Sequence, residues 1–351
     1  MWLDLTQDVG ELTARIVDIE SVSGDERALA DAVEGALRPL AHLTVRRDGD
    51  AIVASTYAGR AERVVIAGHL DTVPIAGNLP SRVEGDLLYG CGTADMKSGV
   101  AVALKLAAAV TSPRVDVTYV FYDCEEVEAE RNGLGRLSRN HPEWLVADFA
   151  VLMEPTDGVI EGGCQGTLRA EVRTGGKRAH SARSWFGVNA IHGIQPILET
   201  LNSYEPRRPI VDGLEFREGL SAVGVRGGVA GNVIPDECVV TVNYRFAPDR
   251  DLGDAQEHVR KIFDGFDVVF TDGSPGARPG LTHPAASAFT AAVGGTPRAK
   301  YGWTDVSRFS AVGVPAVNYG PGDPNFAHQR DEHVRLSQIA ECEQAMLAWL
   351  A

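Results

Sequence analysis

Apolar residues in this chain follow two rhythms. Arg63–Gly68 (RVVIAG), Val115–Tyr122 (VDVTYVFY) and Phe149–Met153 are short continuous runs rich in β-branched and aromatic residues, and Leu87–Gly92 is a fourth. Such runs predict strands buried on both faces. Leu12–Ile19 and Glu26–Leu37 instead carry apolar residues at helical spacing, with Ser23 placed to cap the second, and Val100–Val110 (VAVALKLAAAV) reads as a helix buried all round. Strand and helix alternate. The fold class this predicts is α/β, a helix-flanked mixed and mostly parallel sheet.

The middle of the chain has a different order. Thr167–Thr174 predicts a strand, Ala190–Leu201 a helix, Leu220–Arg226 and Cys238–Phe246 two strands, Leu252–Phe263 a helix and Asp267–Thr271 a last strand. That β-α-β-β-α-β series is the ferredoxin-like pattern. After the Gly/Pro-rich Gly273–Gly280 the earlier character resumes, with Val314–Tyr319 leading into the loop Pro321–Arg330. Residues 169–284 therefore read as an α+β domain inserted into a discontinuous domain of residues 1–168 and 285–351.

Composition narrows the function classes. The 351 residues are 44% hydrophobic and 23% charged, enough for about two globular domains. A formal net charge of −15 disfavours nucleic acid and anionic membranes as partners. Met1–Ile16 is interrupted by Asp4, Asp8, Glu11 and Arg15, and no stretch approaches the length of a membrane span, so a cytoplasmic location is expected. Five cysteines without a C-x-x-C pair argue against a disulfide framework or a thiolate zinc knot.

The candidate chemistry lies at the ends of the apolar runs. His69-Leu70-Asp71 and Glu154 each follow one directly, Glu125-Glu126 follow another after two intervening residues, Asp95 sits just ahead of a helix, and His328 lies in the late loop. Each residue has an ordinary structural alternative: a satisfied histidine–aspartate pair, a helix cap at Asp95, solvated glutamates. Their joint placement matters more, because an open α/β sheet gathers such residues beyond the carboxyl ends of its strands. Two imidazoles with three or four carboxylates make an N/O donor set suited to zinc, cobalt or manganese. Adjacent Glu125 and Glu126 repel each other unless cations or a shared proton hold them.

At these residues the chain resembles the co-catalytic metallo-aminoacylases and metallopeptidases. The matching segments are Gly68–Pro74, Gly90–Gly99 with Ala94-Asp95-Met96-Lys97, Glu125-Glu126, Glu154-Pro155-Thr156, Ala179-His180-Ser181-Ala182, Gly231–Pro235 and His328. Tyr89–Thr93, Cys164–Thr167 and Gly302–Phe309 look most like the succinyl-diaminopimelate desuccinylase branch.

The resemblance implies a dinuclear zinc amide hydrolase, with Co2+ or Mn2+ as alternatives. Asp95 would bridge two metals, with His69 and Glu154 on one and Glu126 and His328 on the other. Glu125 would be the general acid/base, Asp71 would orient His69, and His180 would steady the oxyanion in the partner's site of a homodimer. Asn232, Arg245, Thr304 and Arg308 would bind a small N-acyl amino acid, and the inserted domain would supply the dimer contact. The nearest alternative is another N-acyl-amino-acid deacylase or a dipeptidase, and a non-catalytic binding relative is a further class that Glu125 disfavours. Cys124, Asp331, Trp303 and Arg183-Ser184-Trp185 depart from the family pattern and spare every proposed ligand.

Overall fold

In the computed structural model, which describes residues 2–351, the chain divides into two compact units. One holds the described residues up to Gly162 with Pro279–Arg298 and Arg308–Ala351; the other holds Gly163–Arg278 and Ala299–Ser307.

The first unit is centred on a mixed sheet. Its successive neighbours are Thr44–Asp48, Ala51–Ser55, Asp116–Tyr122, Arg63–His69, Phe149–Leu152 and Ala316–Asn318. The last four are parallel to one another, and Asp116–Tyr122 and Phe149–Leu152 are buried throughout, as their unbroken apolar runs require. The first two form an antiparallel hairpin. Its two connecting residues, Gly49 at φ +63° and Asp50, are too few for a parallel crossover. Register then fixes where chemistry can occur. His69 lies opposite Tyr122, and Ala67 opposite Leu152, so the residues after these strands emerge along one edge of the sheet.

Helix Ser98–Ala109 is buried over most of its surface. Gly99 sets how closely it approaches: a Cβ there would lie 2.1 Å from the Met153 carbonyl oxygen, so only glycine lets the segment carrying Asp95 pack on the one carrying Glu154. One predicted cap is corrected, and one structural alternative is set aside. Helix Arg27–Leu37 starts without a side-chain cap, and the Ser23 hydroxyl instead donates to Asp71 at 2.7 Å. Helix Ser98–Ala109 likewise lacks a side-chain cap, so Asp95 does not serve as one.

The second unit has a separate core that includes Leu168, Val172, Ile197, Val240, Val242, Val259 and Phe263. Its antiparallel sheet runs in the order Gly219–Gly227, Glu237–Phe246, Gly166–Gly175, Asp267–Ser274. With helices Gln195–Ser203 and Leu252–Ile262 this completes the ferredoxin-like series. The first of these helices begins five residues later than the pattern predicts, with Pro196 in its first turn, where proline is favoured. Among the described residues no helix is long and apolar enough to cross a membrane.

Candidate metal centre

Parallel pairing delivers His69 and the loop after Tyr122 side by side, and Asp95 arrives from the turn Thr93–Lys97. Ligand atoms of His69, Asp95 and Glu126 all lie within 4.8 Å of one another. Asp95 faces two ways: Oδ1 is 3.2 Å from His69 Nε2 and Oδ2 is 3.5 Å from His328 Nε2. His328 Nε2 is also 2.8 Å from Glu126 Oε1. One carboxylate with an imidazole beside each oxygen has the form of a bridging ligand, and the all-N/O donor set fits borderline divalent cations.

The electrostatics agree with that form. Burial opposes charge on His69, but Asp71 and Asp95 outweigh it and raise the imidazole well above its ordinary basicity. His328 is raised to about 10 by the hydrogen bonds its ring donates to the Asp95 and Glu126 carboxylates. Enclosure works against charge on Asp95, yet His328 and His69 hold its carboxyl below the usual range. Without a cation, both imidazoles are thus held protonated by the carboxylates around them, and a bound cation would take the place of those protons.

Asp71 is fully buried, and its groups meet both His69 and the loop after Tyr122. His69 Nδ1 is nearest the Asp71 backbone carbonyl at 3.0 Å, with the carboxylate at 3.4 Å, so Nδ1 is engaged and Nε2 is left to face Asp95. The carboxylate oxygens accept instead from the backbone N–H groups of Glu125 at 2.9 Å and Glu126 at 3.0 Å. Glu154 follows Phe149–Leu152 and is buried. Gly320, whose Cβ would lie 2.5 Å from the Met153 carbonyl oxygen, allows the late loop to pass close to it.

Glu332 plays a part that the sequence reading did not assign. Its buried carboxylate accepts from the N–H groups of Gly92 (2.9 Å), Ala94 (2.9 Å) and Asp95 (3.0 Å), fixing the turn that presents Asp95. Burial still pushes this carboxyl up to about 7 against those bonds. No local pattern announces it, since its partners lie more than 230 residues earlier.

The remaining predicted residues fall in both units. In the second unit His180 and Asn232 are neighbours: the strand pairing places His180 against Val233, and Ser181 N–H donates to the Asn232 carbonyl. His180 is exposed, and its Nδ1 accepts from Ala182 N–H at 3.1 Å. Arg245 lies in Glu237–Phe246 and donates to Asn243; burial and then Arg169 depress its basicity. Thr304 is buried, and its carbonyl accepts from the Cys164 thiol at 3.7 Å. Arg308 belongs to the first unit, in helix Val306–Ala311, with a guanidinium nitrogen 2.8 Å from where a Gly135 Cβ would be.

Comparison with known proteins places this arrangement. The model of peptidase family M20/M25/M40 matches residues 65–351. The chain belongs to that family. Along its whole length this M20 chain is 57% identical to a protein of Mycobacterium tuberculosis provisionally named succinyl-diaminopimelate desuccinylase, covering 99% of both. It is 50% identical to the succinyl-diaminopimelate desuccinylase of Corynebacterium glutamicum, covering 99% of this chain and 98% of the relative. Among solved structures, a tripeptidase from Staphylococcus aureus superposes with a TM-score of 0.79 at 20% identity, over 99% of this chain and 98% of that one. A dinuclear metal-binding M20 peptidase from Bacillus subtilis gives 0.72 at 16% identity, over 97% and 96%. These two establish the fold.

Proposed function

We propose that this M20 chain is a dinuclear zinc amide hydrolase that removes succinate from N-succinyl-LL-2,6-diaminopimelate in lysine and diaminopimelate biosynthesis. The reading of the chemistry rests on one observation, the Asp95 carboxylate set between two imidazoles beside Glu126. The substrate rests on full-length identity to desuccinylases. His69 and Glu154 would hold one cation, Glu126 and His328 the other, with Asp95 shared. Bound there, the cations supply Lewis acidity that acidifies water and polarises the scissile carbonyl.

The chain's own groups do the rest. Glu125 takes a proton from the attacking water and returns it to the departing nitrogen, so amide and water become succinate and amine. With Nδ1 occupied by Ala182, His180 offers Nε2 to the oxyanion. Arg245, a half-enclosed guanidinium that donates to Asn243, would take a substrate carboxylate, and Arg308, Thr304 and Asn232 are proposed as further substrate contacts. The competing reading, a deacylase for other N-acyl amino acids or a dipeptidase, is tested by comparing kcat/KM on succinyl- and acetyl-diaminopimelate. An unpartnered guanidinium forfeits about 2–5 kcal/mol, so the succinyl substrate is expected to win by at least about tenfold. Equal values would move the protein to the competing reading.

The second unit is proposed as a dimerisation and lid domain. Strand Gly219–Gly227 is a sheet edge exposed from Ser221 onward, with Val223 at 59% and Val225 at 55% exposure. An open, apolar edge of that length invites pairing with a second copy. If His180 serves the partner's site, mixing inactive Glu125→Gln and His180→Ala chains restores activity, because one site of each heterodimer keeps both groups. Verified subunit exchange without recovery would confine His180 to its own chain.

A further inference from the structure

The segment Ser21-Val22-Ser23-Gly24-Asp25-Glu26 reads as the lead-in to a helix, with the S-x-x-E spacing of a capping box. It does not act as one. The Glu26 side chain makes no bond to the helix that follows. Its Oε1 accepts from Gly24 N–H at 2.8 Å, from Cys124 N–H at 3.1 Å and from the Cys124 thiol at 3.4 Å, and the residue is 1% exposed.

The rest of the segment is stitched to the strand that ends in His69. Ser21 donates to the Leu70 carbonyl at 2.6 Å and accepts from Thr72 N–H, while Ser23 N–H donates back to the Thr72 carbonyl. The Ser23 hydroxyl donates to Asp71 Oδ2. Three consecutive backbone amides in the acid/base loop are therefore held by carboxylates from elsewhere: Cys124 by Glu26, Glu125 and Glu126 by Asp71. Cys124 adopts φ +56°, a left-handed conformation that a side-chain-bearing residue keeps only when its surroundings hold it there. Glu26 meets both its amide and its thiol, and Arg131 also donates to the thiol sulfur at 3.8 Å.

We propose that Glu26 is a positioning residue for the hydrolysis: by fixing the Cys124 amide it sets the backbone from which Glu125 reaches the reacting water. This rests on Glu125 being the acid/base. A Glu26 that served only the helix would point at the helix amides. A Glu26 that served only the core would not need to buried-pair with the residue immediately before Glu125.

The test is a double-mutant cycle on the metal-loaded enzyme, with metal content measured for every variant. Glu26→Ala is expected to lower kcat by about 10- to 100-fold, the scale of a misplaced catalytic group. KM and metal content should stay unchanged, and Glu26→Gln, whose amide oxygen still accepts from Cys124, should recover part of the loss. In a Glu125→Gln background Glu26→Ala should cost nothing further. An equal loss in both backgrounds, unchanged kcat, or a loss explained by missing metal would overturn the proposal. Should Glu26→Ala fail to fold, Glu26→Asp keeps the charge but withdraws the oxygen from Cys124, and wild-type kcat in that variant would overturn it equally. Amide exchange at Cys124–Glu126, followed without substrate, should quicken in Glu26→Ala or Glu26→Asp; unaltered exchange counts against the proposal. That readout separates this inference from the substrate assignment, which is decided by the wild type's kcat/KM on succinyl- and acetyl-diaminopimelate.

Discussion

The two ends of strand Asp116–Tyr122 treat buried carboxylates in opposite ways. At its start, Asp116 accepts from the Thr56 hydroxyl and the N–H groups of Ala58 and Arg60 at 2.8–2.9 Å, with the Arg63 guanidinium 3.7 Å away. Those bonds outweigh burial and hold its carboxyl low. Every need of that carboxylate is met from within the chain. Just past the strand's other end, Asp123 is also satisfied, by a two-pronged Arg136. The next acids differ. Glu126 and Asp95 meet imidazoles rather than guanidinium groups, and Asp71 is occupied with backbone amides. A carboxylate set among neutralisable histidines is suited to receive cations, whereas one set among arginines is already complete.

Substitutions at the two ends should therefore fail differently. Glu125→Gln is expected to keep its metals and fold while turnover falls by at least about 100-fold, the usual scale of acid–base catalysis. Near-normal turnover would assign the base elsewhere. Asp116→Ala should do the reverse. It strands the buried Thr56 hydroxyl and the part-buried amides of Ala58 and Arg60, so stability measured by denaturant unfolding should fall by about 1–3 kcal/mol while kcat/KM of the folded enzyme is unchanged. A catalytic loss in Asp116→Ala would dissolve the contrast between the ends.

How much of this the sequence disclosed follows the same division. The strands leading to His69, Glu125-Glu126 and Glu154 were legible because parallel strands buried on both faces read as unbroken apolar runs, and their ends point to one edge. The ferredoxin-like series was legible because its strands alternate: Gly166–Gly175 buries every second residue over much of its length. Strand Thr44–Asp48 was not, since TVRRD lies at an edge and is nowhere fully buried. Ser23 misled for a physical reason. A serine ahead of a helix is ordinarily a cap, but here Asp71, 48 residues away, competes for the hydroxyl and wins. Glu332 was invisible because its value lies wholly in three amides distant along the chain. Local pattern pointed to His69, Asp95, Glu126 and His328, which lie together in the structure, and to Asp71 beside them, whereas Glu332 and Glu26 carry no local signal of the distant amides they hold.

The central claim is that Asp95 is shared between two cations. Its most direct test is a metal titration of the metal-free protein, following activity and elemental content together. The account predicts two divalent ions per chain at full activity, and the loss of both ions and of activity in Asp95→Ala. Full activity with one ion per chain, or with none, would contradict it.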